Sequence, residues 1–579
     1  MFKGMFKRLF TLFMILVLSI STVGCFGGQG STSGVMISIM NFDGGVGSEW
    51  LEQATKRFSI LKEDEEYIEG SQGVSFDIAK SMTTGVDQMN TSGYNIYFDE
   101  ARTDVRGLTA KGWLVDITDI VTEDLTEYGE TESIEDKLDP ISAKTLKDDN
   151  GHYFALPYYE TLSGFTFDKY TFDDFDLYLA DDEEPNIVTY TSDKFGETIK
   201  LVKNIKDNPG RKKSCGNDGK HGTSDDGFPT SLTELLTLCE YMKNVKSIAP
   251  FTLSGGSSSN YSNYLVSALW ASLAGYDNIK QIYNFDGEIT AVKNIGTQRL
   301  FPGIDYVYAP ETEKVTLTEE NGYRCNDMVE RYYALAFLKI CQNEGWFYSA
   351  ADKMATTAGE AQNQFIYAKV NGTPSAMLIE GSYWMQESER NGRLSGYYKF
   401  TGEDKPMGWV SLPTSFNEKV SGGQPRQVAG IEMSHSYATI NARGMNENPG
   451  LLRACKEFLQ FLGTDSELQA FTMQTGIPRG GVNYELEEEQ YNDLDTFKQT
   501  VWDIRKKSKI LYGGSDSMKF KNNQTTLEIA IAYSPVFQPK INGTTYNNCR
   551  KPFTLNTPES LWDVFNATRF TKSYWDALN

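Results

Sequence analysis

Short apolar runs alternate along the chain with longer segments in which apolar residues recur at helical spacing. Residues 35–40 form the first run, and Trp50, Ala54 and Phe58 then recur at intervals of four positions. The run predicts a β-strand, and the spaced residues predict a helix capped by Ser48. Residues 95–98 repeat the apolar run. Strands that alternate with helices predict an α/β fold with a mostly parallel sheet.

The stretch 375–387 (SAMLIEGSYWMQE) contains a strand followed by a turn with two aromatic residues. Residues 376–379 are apolar throughout, which is typical of a strand buried on both faces, and Gly381 allows the chain to turn. Ligands of open α/β sheets bind beyond the carboxyl ends of the strands. Tyr383 and Trp384 therefore lie where a ligand would bind. The alternative is that both rings pack in the core.

Length and charge limit the possible classes of protein. A chain of 579 residues is too long for one ordinary domain, so two lobes or more are expected. The formal net charge of -23 repels nucleic-acid phosphates and anionic lipid, which argues against a nucleic-acid partner.

The N-terminal segment predicts export. Lys3, Lys7 and Arg8 precede a mostly apolar stretch at residues 9–23, which is short for a transmembrane span and ends before Cys25. This signal peptide, residues 1–24, resembles that of a bacterial lipoprotein, with Cys25 as the lipidated residue and Thr22 where leucine is usual. Residues 25–34 then form a flexible tether. The alternative is a soluble secreted protein in which Cys25 has no special role.

Six cysteines remain after Cys25, and none of them forms a C-x-x-C pair or a zinc pattern. An even number outside the membrane permits disulfides, and buried free thiols are equally compatible with the spacing.

The glycine-rich segment 41–47 (NFDGGVG) follows the first strand and invites comparison with phosphate-binding loops. Its spacing matches neither G-x-G-x-x-G nor a Walker motif, and Asp43 and Glu49 would repel phosphate. Because carboxylate and amide oxygens accept hydrogen bonds from hydroxyl groups, the segment is predicted to form the polar rim of a cleft.

An ordered series of motifs along the chain resembles extracellular solute-binding proteins (family 1) of carbohydrate ABC transporters, the group that includes maltose- and alginate-binding proteins. The series follows the glycine-rich segment with GWLVDIT at 112–118, YFALPYYE at 153–160, GFTFD at 164–168, SAMLIEGSYW at 375–384 and GIPR at 476–479. The resemblance implies a periplasmic-binding-protein-like α/β fold, in which two lobes joined by a hinge close on a ligand in a central cleft.

The resemblance also implies a domain organisation and partners. Lobe 1 is expected to comprise residues 35–165 and 434–483, and lobe 2 residues 166–433 and 484–579. The expected ligand is a mono- or oligosaccharide that a monomeric receptor delivers to the permease subunits and ATPase of an importer. A lipid anchor would hold the protein at the outer face of the bacterial cytoplasmic membrane.

A sugar receptor needs aromatic faces for the C–H surfaces of the ring and carboxylates for its hydroxyl groups. Trp384 and Tyr383 are the predicted stacking residues. The predicted hydrogen-bond acceptors are Asp43, Asp99 and Glu160, and the secondary candidates are Phe98, Tyr159 and Tyr261.

Residues 216–227 (GNDGKHGTSDDG) bring oxygen-bearing side chains and glycines close together, as a Ca²⁺ loop requires. The candidate ligands of a structural calcium ion are Asn217, Asp218, Asp225 and Asp226. The segment lacks the spacing and terminal glutamate of an EF-hand, and a plain surface turn is the alternative. No other cofactor is expected.

Catalytic signatures are missing from the sequence. The chain has three histidines, none at ligand spacing with another, and it contains no G-x-S-x-G, H-E-x-x-H or P-loop motif. A receptor without enzymatic activity is therefore the main prediction. A secreted carbohydrate-cleaving enzyme stays open because it needs only two carboxylates, and so does a peptide-binding or sensor protein of the same fold.

Overall fold

The computed structural model describes residues 34–99, 104–432, 436–533 and 539–578. The signal peptide and the predicted lipidation site Cys25 lie outside these ranges. The described strands, in chain order, are β1 (Val35–Phe42), β2 (Glu66–Ile68), β3 (Ser71–Gln72), β4 (Val74–Ser81), β5 (Ile96–Asp99), β6 (Leu156–Tyr159), β7 (Ser163–Asp168), β8 (Ile187–Ser192), β9 (Glu197–Val202), β10 (Ala249–Thr252), β11 (Glu288–Arg299), β12 (Tyr308–Thr316), β13 (Ser375–Gly381), β14 (Met407–Val410), β15 (Ala429–Ile431), β16 (Ser436–Ile440), β17 (Lys509–Leu511), β18 (Lys540–Ile541) and β19 (Thr544–Thr545).

Helices cover the sheets and connect most of the strands. The described α-helices are α1 (Glu49–Leu61), α2 (Val105–Ala110), α3 (Thr118–Thr122), α4 (Ile134–Lys137), α5 (Pro140–Leu146), α6 (Lys169–Phe175), α7 (Leu232–Asn244), α8 (Ser258–Ala274), α9 (Tyr276–Ile279), α10 (Gln281–Asn284), α11 (Val329–Asn343), α12 (Ala358–Tyr367), α13 (Trp384–Arg390), α14 (Arg393–Thr401), α15 (Pro449–Phe461), α16 (Asp465–Thr475), α17 (Glu488–Asp493), α18 (Thr496–Lys507), α19 (Met518–Tyr533), α20 (Arg550–Phe553), α21 (Pro558–Ala567) and α22 (Lys572–Asp576).

Lobe 1 is built on a sheet with the strand order β4-β1-β5-β16-β6 among the described residues. Strand β1 pairs in parallel with β4 and β5, whereas β16 runs antiparallel to β5 and β6. The predicted first strand and first helix are confirmed. Ser48 occupies the N-cap position of α1, but its hydroxyl donates to Asp43 Oδ1 at 2.5 Å and does not cap the helix.

Lobe 2 is built on a sheet with the order β10-β13-β7-β14 in the described part of the chain. Strands β10 and β13 are parallel, and β7 runs antiparallel to β13 and β14. Every residue of β13 is buried, as the apolar run at 376–379 predicts. Helix α18 covers this sheet, since the backbone N–H of Trp409 donates to Thr500 Oγ1 at 2.7 Å.

The chain passes between the two sheets more than once. Strand β6 belongs to lobe 1 and β7 to lobe 2, so one crossing lies within residues 160–162. The chain returns to the five-stranded sheet at β16, after β15 has paired with β17 in a separate two-stranded sheet. This alternation joins the lobes through short segments, which is the connectivity of a hinge.

The six described cysteines are buried and unpaired, so the free-thiol alternative holds for them (Cys215, Cys239, Cys325, Cys341, Cys455 and Cys549). In the described part of the chain no helix is long and apolar enough to cross a membrane.

Candidate functional site: the cleft between the lobes

The two lobes meet beyond the carboxyl ends of strands β1 and β13, and we call this region the cleft. Residues 43–47 follow the carboxyl end of β1, and residues 382–390 follow the carboxyl end of β13. These two segments are in contact, because the backbone N–H of Gly45 donates to Glu387 Oε1 at 3.3 Å. The predicted position of the ligand site at the ends of the strands therefore corresponds to an interface between the lobes.

The segment 43–47, called the Gly loop below, has a fixed conformation within lobe 1. Asn41 is fully buried, and its side-chain amide donates to Ser48 Oγ at 2.9 Å and to the carbonyl oxygen of Phe42 at 2.8 Å. Gly45 and Gly47 adopt φ angles of 52° and 74°, which other residues rarely do. The Gly loop thus presents backbone groups, rather than side chains, to lobe 2.

Two carboxyl groups and two tyrosines lie together on the lobe 2 side of this contact. The amide Nε2 of Gln362 lies 3.0 Å from Glu380 Oε1 and 3.2 Å from Glu387 Oε2, so one amide holds both carboxyl groups. The hydroxyl of Tyr261 also hydrogen-bonds to Glu380. We call Gln362, Glu380, Glu387, Tyr261 and Tyr383 the carboxyl–tyrosine cluster.

The electrostatics of this cluster follow from burial. Burial, together with the neighbouring Glu387 carboxyl, raises the pKa of Glu380 to about 8. Burial also raises the pKa of Glu387 and moves the pKa of Tyr383 and of Tyr261 well above the usual range. Glu380 therefore stays largely protonated near neutral pH, and its carboxyl group can donate as well as accept hydrogen bonds.

On the hinge side, Glu160 is engaged in an ion pair. Arg505 Nε donates to Glu160 Oε1, and the hydroxyl of Tyr512 donates to Glu160 Oε2 at 2.5 Å. Glu160 and Tyr512 border a cavity of about 30 Å³ that Tyr159 and Tyr437 also line. Glu160 therefore lies beside the cleft, but its carboxylate is held by protein partners.

A larger cavity of about 330 Å³ opens next to this one. Its lobe 1 side includes Arg106, Asn150, Phe154 and Tyr437, and Lys521 of α19 closes it from lobe 2. Tyr437 lines both cavities. The volume is at the lower end of the range of about 300 to 1,000 Å³ for small-molecule pockets, so this cavity can hold a small ligand.

Comparison with known proteins gives structural but not sequence relatives. No protein-family model matches the chain, and no curated protein matches it in sequence. A chitin oligosaccharide binding protein superimposes with a TM-score of 0.50 and 13% identity, covering 92% of this chain and 98% of its own. The chain has the fold of a solute-binding protein. The bacterial solute receptor AcbH, described as having an exclusive preference for β-D-galactopyranose, matches with a TM-score of 0.47 and 12% identity, over 93% of this chain and 97% of its own.

Two predicted ligand residues lie in the packed interior. Trp384 is fully buried, its indole N–H donates to Thr166 Oγ1 at 2.7 Å, and its ring packs against Phe365 and Phe497. Phe98 is also fully buried and makes edge contacts with aromatic rings of the lobe 1 core. The structure corrects both expectations, because neither ring is available to stack on a sugar in this conformation.

Of the other predicted residues, Asp43, Tyr383, Tyr261 and Tyr159 lie near the contact between the lobes, and Asp99 does not. Asp43 is in the Gly loop, and Tyr383 and Tyr261 belong to the carboxyl–tyrosine cluster. The hydroxyl of Tyr159 lies next to Gly45, 3.0 Å from the position that a Cβ atom on that glycine would take. Asp99 is buried at the end of β5 and accepts a hydrogen bond from the Thr84 hydroxyl, so its side chain is turned into lobe 1.

Three of the predicted calcium ligands lie close together, because the Thr223 hydroxyl donates to Asp225 Oδ1 at 2.8 Å and Asp226 Oδ1 at 3.1 Å, and the backbone N–H of Asp218 donates to Asp225 Oδ2 at 3.1 Å. The side-chain oxygen of Asn217 accepts from Thr414 at 2.9 Å, and Asp226 accepts from the backbone N–H of Gly222 at 2.6 Å. The ammonium group of Lys507 lies 2.8 Å from Asp218 Oδ2 and 3.5 Å from Asp225 Oδ1. Among the described residues, no three His, Cys, Asp or Glu side chains are placed to hold a metal ion. Lys507 supplies a positive charge to this acidic turn, and the calcium site stays a prediction.

Sequence reasoning missed four residues of the cleft, namely Gln362, Glu380, Glu387 and Arg390. Glu380 and Glu387 stand inside the stretch 375–387, where a charged residue in an otherwise apolar strand was the available signal. Gln362 and Arg390 carry no comparable local signal, since their importance comes from contacts with distant parts of the chain.

Proposed function

We propose that this protein is a receptor that binds a carbohydrate of one or a few sugar units between its two lobes. The cavity of about 330 Å³ carries this proposal, because it lies beside the hinge and is lined from both lobes by Tyr437 and Lys521. Phe154 and Tyr437 supply aromatic faces, and Asn150 supplies an amide. Rings and amides of this kind suit the C–H faces and hydroxyl groups of sugars.

The mechanism is closure of the lobes around the ligand. A ligand that contacts both lobes binds the closed form better, and so it shifts the population towards that form. A micromolar complex corresponds to about 8 kcal/mol, which a few stacked rings and hydrogen bonds can provide.

In the cell, the receptor would deliver its ligand to the permease subunits and ATPase of an ABC importer. A lipid on Cys25 would anchor it to the outer face of the cytoplasmic membrane, and residues 26–34 would act as the tether. The basic N-terminus, the apolar segment and the glycine before Cys25 support this placement.

Calorimetric titration of residues 26–579 with neutral, N-acetylated and acidic oligosaccharides tests the proposal. We expect heat of binding with one ligand per chain, and no hydrolysis of that ligand. Tyr437→Ala should weaken binding about tenfold or more, whereas Tyr574→Ala, an exposed tyrosine near the C-terminus, should not. Absence of binding to every sugar contradicts the proposal; hydrolysis would indicate an enzyme, and binding of peptides instead would indicate a peptide receptor.

A further inference from the structure

Arg390 of helix α13 reaches across the cleft to the Gly loop. Its Nη1 and Nη2 atoms donate to the carbonyl oxygen of Asp43 at 3.1 and 3.0 Å, and Nη1 also lies 3.5 Å from Asp43 Oδ1. Because the donor is charged, these hydrogen bonds are stronger than those between neutral groups. One side chain of lobe 2 thereby holds the main chain of lobe 1.

The shape of the Gly loop matches this arginine. A Cβ atom added to Gly47 would lie 1.7 Å from Arg390 Nη1 and 2.5 Å from Arg390 Cζ. Glu387, one turn earlier in the same helix, accepts the hydrogen bond from Gly45 described above. Two consecutive turns of α13 therefore contact the Gly loop, and the missing side chain of Gly47 leaves room for Arg390. We call Asp43, Gly45, Gly47, Glu387 and Arg390 the latch.

The lobe 1 half of the latch is organised without help from lobe 2. The Asn41 amide and the Ser48 hydroxyl fix the Gly loop from inside lobe 1. Because the loop is ordered in advance, the entropy cost of forming the latch falls mainly on the side chains of Arg390 and Glu387. All its bonds are between protein groups, so closure requires no ligand to complete it.

We propose that the latch holds the two lobes together in the ligand-free protein, and that Arg390 is the positioning residue that sets the balance between closed and open forms. The part of this inference that concerns ligand entry rests on the proposed function. If the cleft must open before a ligand enters, the observed association rate levels off at the opening rate as the ligand concentration rises. If the cleft is already open, the observed rate rises linearly with ligand concentration.

Small-angle scattering of the ligand-free protein tests the latch without any sugar. The wild type should have the radius of gyration of the closed structure, and Arg390→Ala should increase it, because the closed-to-open ratio falls about tenfold or more when charge-assisted bonds are lost. The matched control is Arg453→Ala. Arg453 also donates to a carboxylate, that of Glu65 at 2.7 Å, and to a backbone carbonyl oxygen, that of Glu66 at 2.6 Å. These three residues all lie in lobe 1, so the substitution breaks no contact between the lobes.

A second variant separates opening of the cleft from damage to the fold. Gly47→Ala should also increase the radius of gyration in the wild-type background, because the new methyl group collides with Arg390. In the Arg390→Ala background the same substitution should add little further opening, since the collision no longer exists. Melting curves of each variant show whether the lobes themselves remain folded.

Three results would overturn the inference. They are an open ligand-free wild type, unchanged dimensions of Arg390→Ala, and equal effects of Gly47→Ala in both backgrounds. If a sugar binds, the wild-type association rate should level off and Arg390→Ala should bind faster; a linear wild-type rate contradicts the gating role. If no sugar binds, the scattering results still decide the latch while the proposed function fails.

Discussion

Glu160 and Arg505 form a buried ion pair across the segment that connects strands β6 and β7. The side chain of Glu160 is 1% exposed and that of Arg505 is 12% exposed, so neither charge is well solvated. Burial lowers the pKa of Arg505, and the adjacent Glu160 carboxylate more than offsets this, so the net shift is upward. The pair ties helix α18 of lobe 2 to the end of a lobe 1 strand, and it stabilises the closed arrangement from the hinge side.

Replacing Arg505 with glutamine should destabilise the protein strongly. The substitution leaves the Glu160 carboxylate buried without its counter-charge, which typically costs about 3 to 5 kcal/mol. The free energy of unfolding measured in urea at neutral pH checks this. The control is Lys572→Gln, which breaks an exposed pair with Asp576 and should leave the free energy of unfolding nearly unchanged. A similar small effect for both variants would contradict the buried-pair interpretation.

Trp384→Ala should behave as a core substitution. Removing a fully buried tryptophan between Phe365 and Phe497 leaves a cavity, and such changes cost about 3 to 5 kcal/mol. Denaturant unfolding measures the loss, and Trp384→Phe should retain much of the stability because it keeps a ring in the site. Unchanged stability combined with lost sugar binding would instead restore the stacking role that the sequence suggested.

Glu380 should make stability depend on pH. Its pKa is about 8 in the folded protein, against 4.5 for an ordinary glutamate. Between pH 4.5 and about pH 8, the Glu380 carboxyl group is mostly protonated in the folded protein and ionised in the unfolded chain, so unfolding releases a proton. Its contribution to the free energy of unfolding is therefore complete below about pH 4.5, falls by at most about 1.4 kcal/mol per pH unit as the pH rises, and is lost above about pH 8.

Urea unfolding of wild type and Glu380→Gln at pH 5, 6.5 and 8 measures this slope. The variant should gain stability relative to the wild type as the pH rises, since its amide does not ionise. Glu403→Gln, a change at an exposed position, is the control and should follow the wild type. Parallel curves for wild type and Glu380→Gln would show that Glu380 is not the titrating group.

Calcium should have no effect on the turn at residues 216–227. Since Lys507 already neutralises Asp218 and Asp225, neither a chelator nor added Ca²⁺ should change the melting temperature. Lys507→Met should lower the free energy of unfolding by about 1 to 3 kcal/mol, because Asp225 is buried and loses its charged partner. A melting temperature that rises with Ca²⁺ would support the calcium site predicted from the sequence.

Much of the local structure could be predicted because its causes are local. The apolar runs at 35–40, 95–98 and 376–379 are strands, and the spaced apolar residues after Ser48 form α1. The ordered motifs also predicted the solute-binding fold. Sequence spacing reports these features because burial of a strand or of a helix face depends on neighbouring residues.

The functional roles of individual side chains were harder to predict. Tyr383 and Trp384 are adjacent, yet α13 begins at Trp384, and that ring enters the core while Tyr383 stays with the cleft cluster. Glu160 follows the aromatic motif as expected, but Arg505, 345 residues later, takes its carboxylate.

The sequence by itself determined the α/β class, the main strands and helices, and the place of the cleft beyond the strand ends. Only the tertiary structure decided which rings are buried, that Lys507 neutralises the acidic turn, and that Arg390 holds the Gly loop. The physical reason is that the first group depends on short-range periodicity, whereas the contacts of the second join residues of different elements, up to 347 positions apart for Asp43 and Arg390, and such pairings follow from packing of the whole chain.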